Sequence, residues 1–177
     1  MYQVVTVRPL RGRSVLEASL AAVFTALVAA TTIAVRIPVP ATGGYINVGD
    51  AVVFAAALSL GWLVGGAAGG LGSAIADMVG YPVFAPFTLV IKGLEGLVAG
   101  GIADGVSTRR DLLAWGLGSV IMVAGYFLSE AYLMRLGVAA ALVEVPGNIA
   151  QIAFGGLIGI PVARIIRRRI REVTSGE

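Results

Sequence analysis

The run AVVFAAALSLGWLVGGAAGGLGSAIA, from Ala51 to Ala76, decides the fold, because it reads either as one membrane helix or as two. It carries no charge, and Gly61-Trp62 and Gly65-Gly66 interrupt it. Taken with its flanks, from Ile46 to Met78, it is long enough for two short spans. The arginines separate the readings. With two spans here the chain has six helices, and Arg8, Arg11, Arg13, Arg109, Arg110, Arg164, Arg167, Arg168, Arg169 and Arg171 share one side, against Arg36 and Arg135 on the other. With one span the termini lie on opposite sides and the bias is largely lost. Cytoplasmic loops carry the excess of Lys and Arg, so six helices with both termini cytoplasmic are expected. Helices two and three are then only about 17 residues each, at the short end for a span.

Composition places the whole chain in lipid. Of 177 residues, 58% are hydrophobic and 13% charged, and the mean hydropathy is +0.92. Soluble domains carry roughly 25% charged residues, so this chain lacks the polar surface to cover itself in water. The formal charge of +3 would suggest nucleic acid in a soluble protein, but here the arginines flank apolar spans and set orientation. There is no cysteine or histidine, which removes disulfides, thiolate metal sites and the commonest general base. No metal or cofactor is expected. The uncharged run Ala18 to Val35 exceeds the roughly 7–15 residues of a signal h-region, so it is read as a retained helix.

The remaining breaks complete an all-α integral membrane protein, a single domain of six helices over about 15–37, 46–60, 62–78, 86–104, 111–134 and 146–168. Pro38 and Pro40 end the first. Val39 to Tyr45, with Thr42-Gly43-Gly44, reads as a turn, as does Gly80-Tyr81-Pro82. Pro86 suits a first helical position. Ser107 to Asp111 reads as a charged loop, and Pro146 as the start of the last helix.

Small residues recur at helical spacing. Ala18, Ala22, Ala26 and Ala30 form a smooth stripe on the first helix, open to internal packing or to a partner's helices. Gly65/Gly69, Gly66/Gly70 and Gly155/Gly159 read as internal packing. The glycines from Gly65 to Gly72 are not a phosphate loop, since no Gly-Lys-Ser/Thr follows and no strand precedes.

Ionisable groups within spans are expensive and point to function. In the six-helix arrangement Asn47, Asp50, Lys92, Glu95, Glu130, Asn148 and Gln151 all fall in the outer half of the bilayer, and the inner halves are almost bare. Apolar walls with a few convergent polar groups suit a small-molecule site. Structural readings stand beside this one. Lys92 pairs with Glu95 or with Asp50. Asp50 favours the positive end of its helix, and Asn148 caps its own. Asp77 and Glu144 read as interfacial and solvated. Tyr45, Tyr81, Phe84, Phe87, Tyr126 and Tyr132 read as belt aromatics, one or two of them able to stack on a flat ring.

Two blocks also resemble a known family. Pro38-x-Pro40-x-x-Gly43-Gly44-Tyr45-Ile46-Asn47-Val48-Gly49-Asp50, with Tyr81-Pro82-x-Phe84-Ala85-Pro86-Phe87-Thr88-x-x-Ile91-Lys92-Gly93-x-Glu95-Gly96, is similar to the S components of energy-coupling factor (ECF) transporters, in the riboflavin and hydroxymethylpyrimidine group. The resemblance implies a multi-pass cell-membrane subunit that binds a vitamin or precursor near the extracellular side and has no ATPase activity itself; without His, Cys or a Ser-centred motif, an enzyme is not expected. It implies docking through first-helix small residues, here Ala18, Ala22 and Ala26, onto a transmembrane T component coupled to two cytoplasmic ATPases, with the whole subunit toppling to release its cargo. The ligand layer it implies draws on Tyr45, Asn47, Lys92, Glu95, Glu130, Asn148 and Gln151. The competing reading is a self-sufficient proton-coupled secondary transporter with Lys92, Glu95 and Glu130 as a proton relay, though no internal inverted repeat supports it.

Overall fold

The computed structural model describes residues 14–175; Arg8, Arg11 and Arg13 lie outside them. The described chain is six helices and one β-hairpin. Helix α1 is Ser14–Ala34, followed by strands β1 (Arg36–Val39) and β2 (Gly44–Asn47), paired antiparallel with Arg36 opposite Asn47. Helix α2 is Asp50–Leu60 and α3 covers 62–78, with α4 at Ala85–Ile102. Helix α5 is Thr108–Leu133, and α6 is Val138–Ser175. Four of these, α1, α4, α5 and α6, are long and apolar enough to cross a membrane.

The stretch 51–76 is two helices, and the packing says why. Gly61 takes φ +90°, a conformation in which a side chain is strained. The chain turns back there: Gly65 lies against Ala57, and Gly69 against Val53. Those pairs sit symmetrically about Gly61, as in a helical hairpin. At 11 residues α2 rises only about 16 Å, short of the roughly 30 Å hydrocarbon core. The β-hairpin occupies the outer end above it, where a loop and the start of helix two, from residue 46, were expected. Pro38 and Pro40 stop α1 at Ala34, and the extended backbone then pairs with 44–47 instead of entering a helix.

Glycines let the backbones touch. A Cβ on Gly96 would lie 2.1 Å from the Gly65 carbonyl oxygen. The Gly65, Gly66, Gly69 and Gly70 surface meets α4, and Gly155 and Gly159 receive Asp50, Phe54 and Ala51 of α2. All three glycine pairs are thus internal packing surfaces. Gly96→Ala should force α3 and α4 apart and lower stability by about 1–3 kcal/mol, as overpacking does. Thermal unfolding in detergent measures this, and a variant as stable as the parent would refute the close approach.

The alanine stripe behaves differently. Ala18, Ala22, Ala26 and Ala30 are exposed on the outer face of α1, beside Val15 and Val23. The opposite face of α1 packs on α3, with Leu20, Ala21, Phe24 and Val28 against Val64 and Ala68.

Helix α6 begins at Val138, eight residues before the expected start, and Pro146 and Pro161 lie inside it. Each proline removes one N–H and frees the carbonyl four residues earlier, but the flanking helix continues. One face of α6 meets the β-hairpin and α2 turn by turn. Glu144 contacts Thr42, Gly147 faces Ile46, Gln151 meets Asn47, and Gly155 and Gly159 take Asp50 and Phe54. The inner end is not bare of charge. Asp111, expected in a loop, sits fully buried in the first turn of α5. Arg167 Nη1 and Nη2 fork onto its two oxygens at 2.9 and 2.6 Å, and Nη1 also donates to the Leu58 carbonyl at 3.1 Å.

Candidate functional site

At the other end of the bundle, polar side chains from the hairpin, α2, α3, α4, α5 and α6 converge. The centre is Lys92, which lies on the inner face of α4, one helical turn before Glu95, and is 1% exposed. Its Nζ donates to Asp50 Oδ1 and lies 2.9 Å from Glu95 Oε2. Both pairings left open by the sequence therefore occur together. The Glu95 contact is an ion pair within one turn of α4. The second oxygen of Asp50 accepts from Gln151 Nε2 at 2.9 Å, and Gln151 Oε1 accepts from the Asn47 backbone N–H at 2.8 Å. Asn47, Asp50, Lys92, Glu95 and Gln151 thus form one network joining β2, α2, α4 and α6. A buried lysine held by two carboxylates avoids the penalty of an isolated charge in a low-dielectric interior.

A second group closes the outer side. Tyr45 OH donates to Asp77 Oδ1, its ring stacks on Tyr81 with centroids 4.4 Å apart, and the Arg36 guanidinium lies 4.9 Å from the Tyr45 ring centroid. Arg36 also donates to the Val79 carbonyl at 2.6 Å and to that of Ala76, capping the C-terminal end of α3. Burial, reinforced by the Asp77 carboxylate, holds the Tyr45 phenol well above its usual range, so it stays a proton donor. Asp77 and Glu144 are 2% and 4% exposed, which corrects the solvated reading. Glu144 Oε2 accepts from the Thr42 hydroxyl, which itself accepts from Gly44 N–H at 3.1 Å.

Between these groups lies a cavity of about 20 Å³, room for about one water molecule. Of the expected site residues, Tyr45, Asn47, Lys92, Asn148 and Gln151 line it. Asp50, Glu95 and Glu130 do not; they are fully buried behind the wall. Asn148 lies ten residues after the first residue of α6, well past its first turn, so helix capping does not explain it. Ser73, Asp77, Phe84, Thr88, Met122, Tyr126 and Glu144 also line the cavity. Tyr126 OH and Thr88 Oγ1 are hydrogen-bonded at 2.9 Å, so Tyr126 is a wall residue and not a belt aromatic. Two π-turns, Ala68–Gly72 and Ser129–Leu133, interrupt α3 and α5 beside Ser73 and at Glu130. Such bulges re-aim side chains, and no residue type in either stretch announces them.

This arrangement sits in a sequence that matches a known family. The family described as ECF-type riboflavin transporter, S component, matches residues 13–168. The chain belongs to that family. A relative from Pyrococcus woesei, described as an uncharacterized protein in gap 3'region, is 46% identical over 147 residues, covering 82% of this chain and 98% of that one. As an S component the chain is a substrate-binding transporter subunit and a multi-pass membrane protein, in a family that is not one of enzymes. S components work with T and ATPase modules and bind vitamin-like substrates.

Proposed function

We propose that this S component captures a vitamin or vitamin precursor, of the riboflavin or hydroxymethylpyrimidine kind, at the extracellular face of the plasma membrane. The observation that carries this reading is the convergence of buried polar side chains on one small cavity at the end of the bundle opposite the arginines. Arg109, Arg110, Arg164, Arg167, Arg168, Arg169 and Arg171 lie at one end, and Arg36 and Arg135 at the other. The positive-inside rule then makes the cavity end extracellular and both termini cytoplasmic. Ligand contacts are assigned to Tyr45, Asn47, Lys92, Asn148 and Gln151, with Asp50, Glu95 and Glu130 holding that wall in place.

Energy comes from a T component and, through it, two cytoplasmic ATPases. The docking face is Ala18, Ala22 and Ala26, whose exposure on α1 leaves room for a partner's backbone to approach. Ala22→Leu should cut recovery of the complex by about tenfold, since even 1.4 kcal/mol of lost packing has that effect, while ligand binding is unchanged. Co-purification with tagged T component reads this out, and lost binding with normal assembly would refute the assignment. Uptake into proteoliposomes tests the whole reading. Transport is expected only with the T component, ATPases and ATP, and transport by the chain alone under a proton gradient would establish the secondary transporter instead.

A further inference from the structure

The inner end of the bundle holds a cleft of about 320 Å³ between the α4–α5 loop and the end of α6. The loop at Gly105 forms one wall, and Arg164, Arg167, Arg168 and Arg171 form the other. Arg171 Nη2 donates to the Gly105 carbonyl at 2.6 Å and fixes the loop against the helix. Carboxylates reach these guanidiniums, but each serves two of them. Asp111 takes the Arg167 fork and also lies 3.9 Å from Arg164 Nε. Glu172 takes both Arg168 and Arg169 at 2.9 Å. One carboxylate answers one charge, so Arg164 and Arg168 leave the cleft with an excess of positive charge. These two arginines continue a stripe of α6 that is apolar in the preceding turns. Pro161 and Leu157 stand at helical spacing before Arg164 on the same face, and both are exposed, Leu157 at 72%. Leu157 is about 28 Å along α6 from Val138, and Arg164 about 39 Å. The hydrocarbon is about 30 Å thick, so the stripe turns from apolar to basic where acyl chains give way to headgroups.

We propose that this cleft binds one anionic phospholipid of the leaflet at that end, its phosphate between Arg164 and Arg168 and an acyl chain along Pro161 and Leu157. A guanidinium presents a planar fork of donors that matches phosphate oxygens, and basic pockets between transmembrane helices on the cytoplasmic side take lipid headgroups. A soluble phosphate would use the arginines and leave the apolar half of the stripe uncovered, and so would an acidic protein surface. The headgroup seats against the α4–α5 loop as well as α6, so a bound lipid ties together the same elements that Arg171 joins through Gly105. The cleft lies at the opposite end from the solute cavity, and the proposal holds whichever solute that cavity takes.

Native mass spectrometry of the purified full-length chain tests it, counting bound lipid as phosphatidylglycerol or phosphatidylcholine is titrated into neutral detergent. One phosphatidylglycerol should bind about tenfold or more tighter than phosphatidylcholine, the scale of one charge-assisted hydrogen bond. Arg164→Gln with Arg168→Gln should erase that preference. Arg110→Gln with Arg169→Gln removes the same charge from exposed positions that do not line the cleft, and should keep it. Leu157→Ser leaves every arginine in place and should weaken phosphatidylglycerol without changing the binding of inorganic phosphate. Inorganic phosphate itself should bind the parent about tenfold or more weaker than the lipid, because it gains nothing from the apolar stripe. Equal affinity for the two lipids overturns the proposal. Equal loss in the two double variants also overturns it, as a diffuse basic surface, and so does inorganic phosphate binding as tightly as phosphatidylglycerol, as a soluble-anion site. Unchanged lipid binding by the Arg164/Arg168 variant, with lost recovery on tagged T component and ATPases, makes the cleft a protein surface and overturns it too.

Discussion

Lys92→Ala should destabilise the protein by about 3–5 kcal/mol, the range seen when one partner of a buried ion pair is removed. The substitution leaves Asp50 and Glu95, both essentially unexposed, as two carboxylates with no cation between them. Gln151 would keep its hydrogen bond to Asp50 but carries no charge. The loss should therefore propagate through Gln151 to the Asn47 backbone and loosen β2 on α6. Unfolding followed by the fluorescence of Trp62 and Trp115 measures it. Replacing all three charges, by Lys92→Met with Asp50→Asn and Glu95→Gln, should recover much of the loss, because an apolar or neutral replacement of a buried pair is often neutral. The triple variant should still not bind substrate. A single variant within about 1 kcal/mol of the parent would mean that water reaches Lys92 and that its burial is not maintained.

Arg167→Ala should cost about 3 kcal/mol at the opposite end, for a related reason. The guanidinium forks onto Asp111 and reaches the Leu58 carbonyl, so one side chain ties α6 to both α5 and α2. Arg164 Nε, 3.9 Å from Asp111, softens the loss without replacing the fork. Arg167→Lys should recover only part, since an ammonium cannot make two parallel bonds to a carboxylate. Asp111→Asn added to Arg167→Ala should restore most of the stability. Equal stability of Arg167→Ala and parent in the same unfolding assay would show that the clasp is not maintained.

The helices were legible because lipid leaves an unambiguous mark on a sequence. The turn at Gly61 was legible only through the arginines, since glycine and tryptophan in an apolar run suit a straight helix as well as a hairpin. The hairpin strands were not legible. Arg36–Val39 and Gly44–Asn47 are too short for a period-two pattern, and their pairing depends on the bundle end that they cover. Pro146 misled because a proline favours a helix start, yet in a long helix packed on α2 a single lost hydrogen bond is tolerated. The Lys92–Glu95 pair followed from helical spacing alone. Asp50 joined it across 42 positions and Gln151 joined Asp50 across 101, contacts that no local rule supplies. Asp77, Glu144 and Asp111 were misplaced for one reason: charge near a helix end reads as solvated, and burial there is visible only once Tyr45, Thr42 and Arg167 are seen facing them.

Helix α6 is 38 residues long, about 57 Å at 1.5 Å per residue. That is nearly twice the hydrocarbon thickness of about 30 Å, so its last turns, beyond the Arg167 clasp, extend past the hydrocarbon as a rigid rod carrying Arg168, Arg169 and Arg171. In the proposed orientation this rod passes through the headgroups of the anionic cytoplasmic leaflet, where each arginine near the surface is worth about 1 kcal/mol. Any tilting of the subunit that lifts the rod from the headgroups works against that attraction. If the subunit topples to release its cargo, as the family resemblance implies, the lipid composition of the inner leaflet would control how freely it reorients, stiffening it in phosphatidylserine-like or cardiolipin-rich bilayers and freeing it in neutral ones or at high salt.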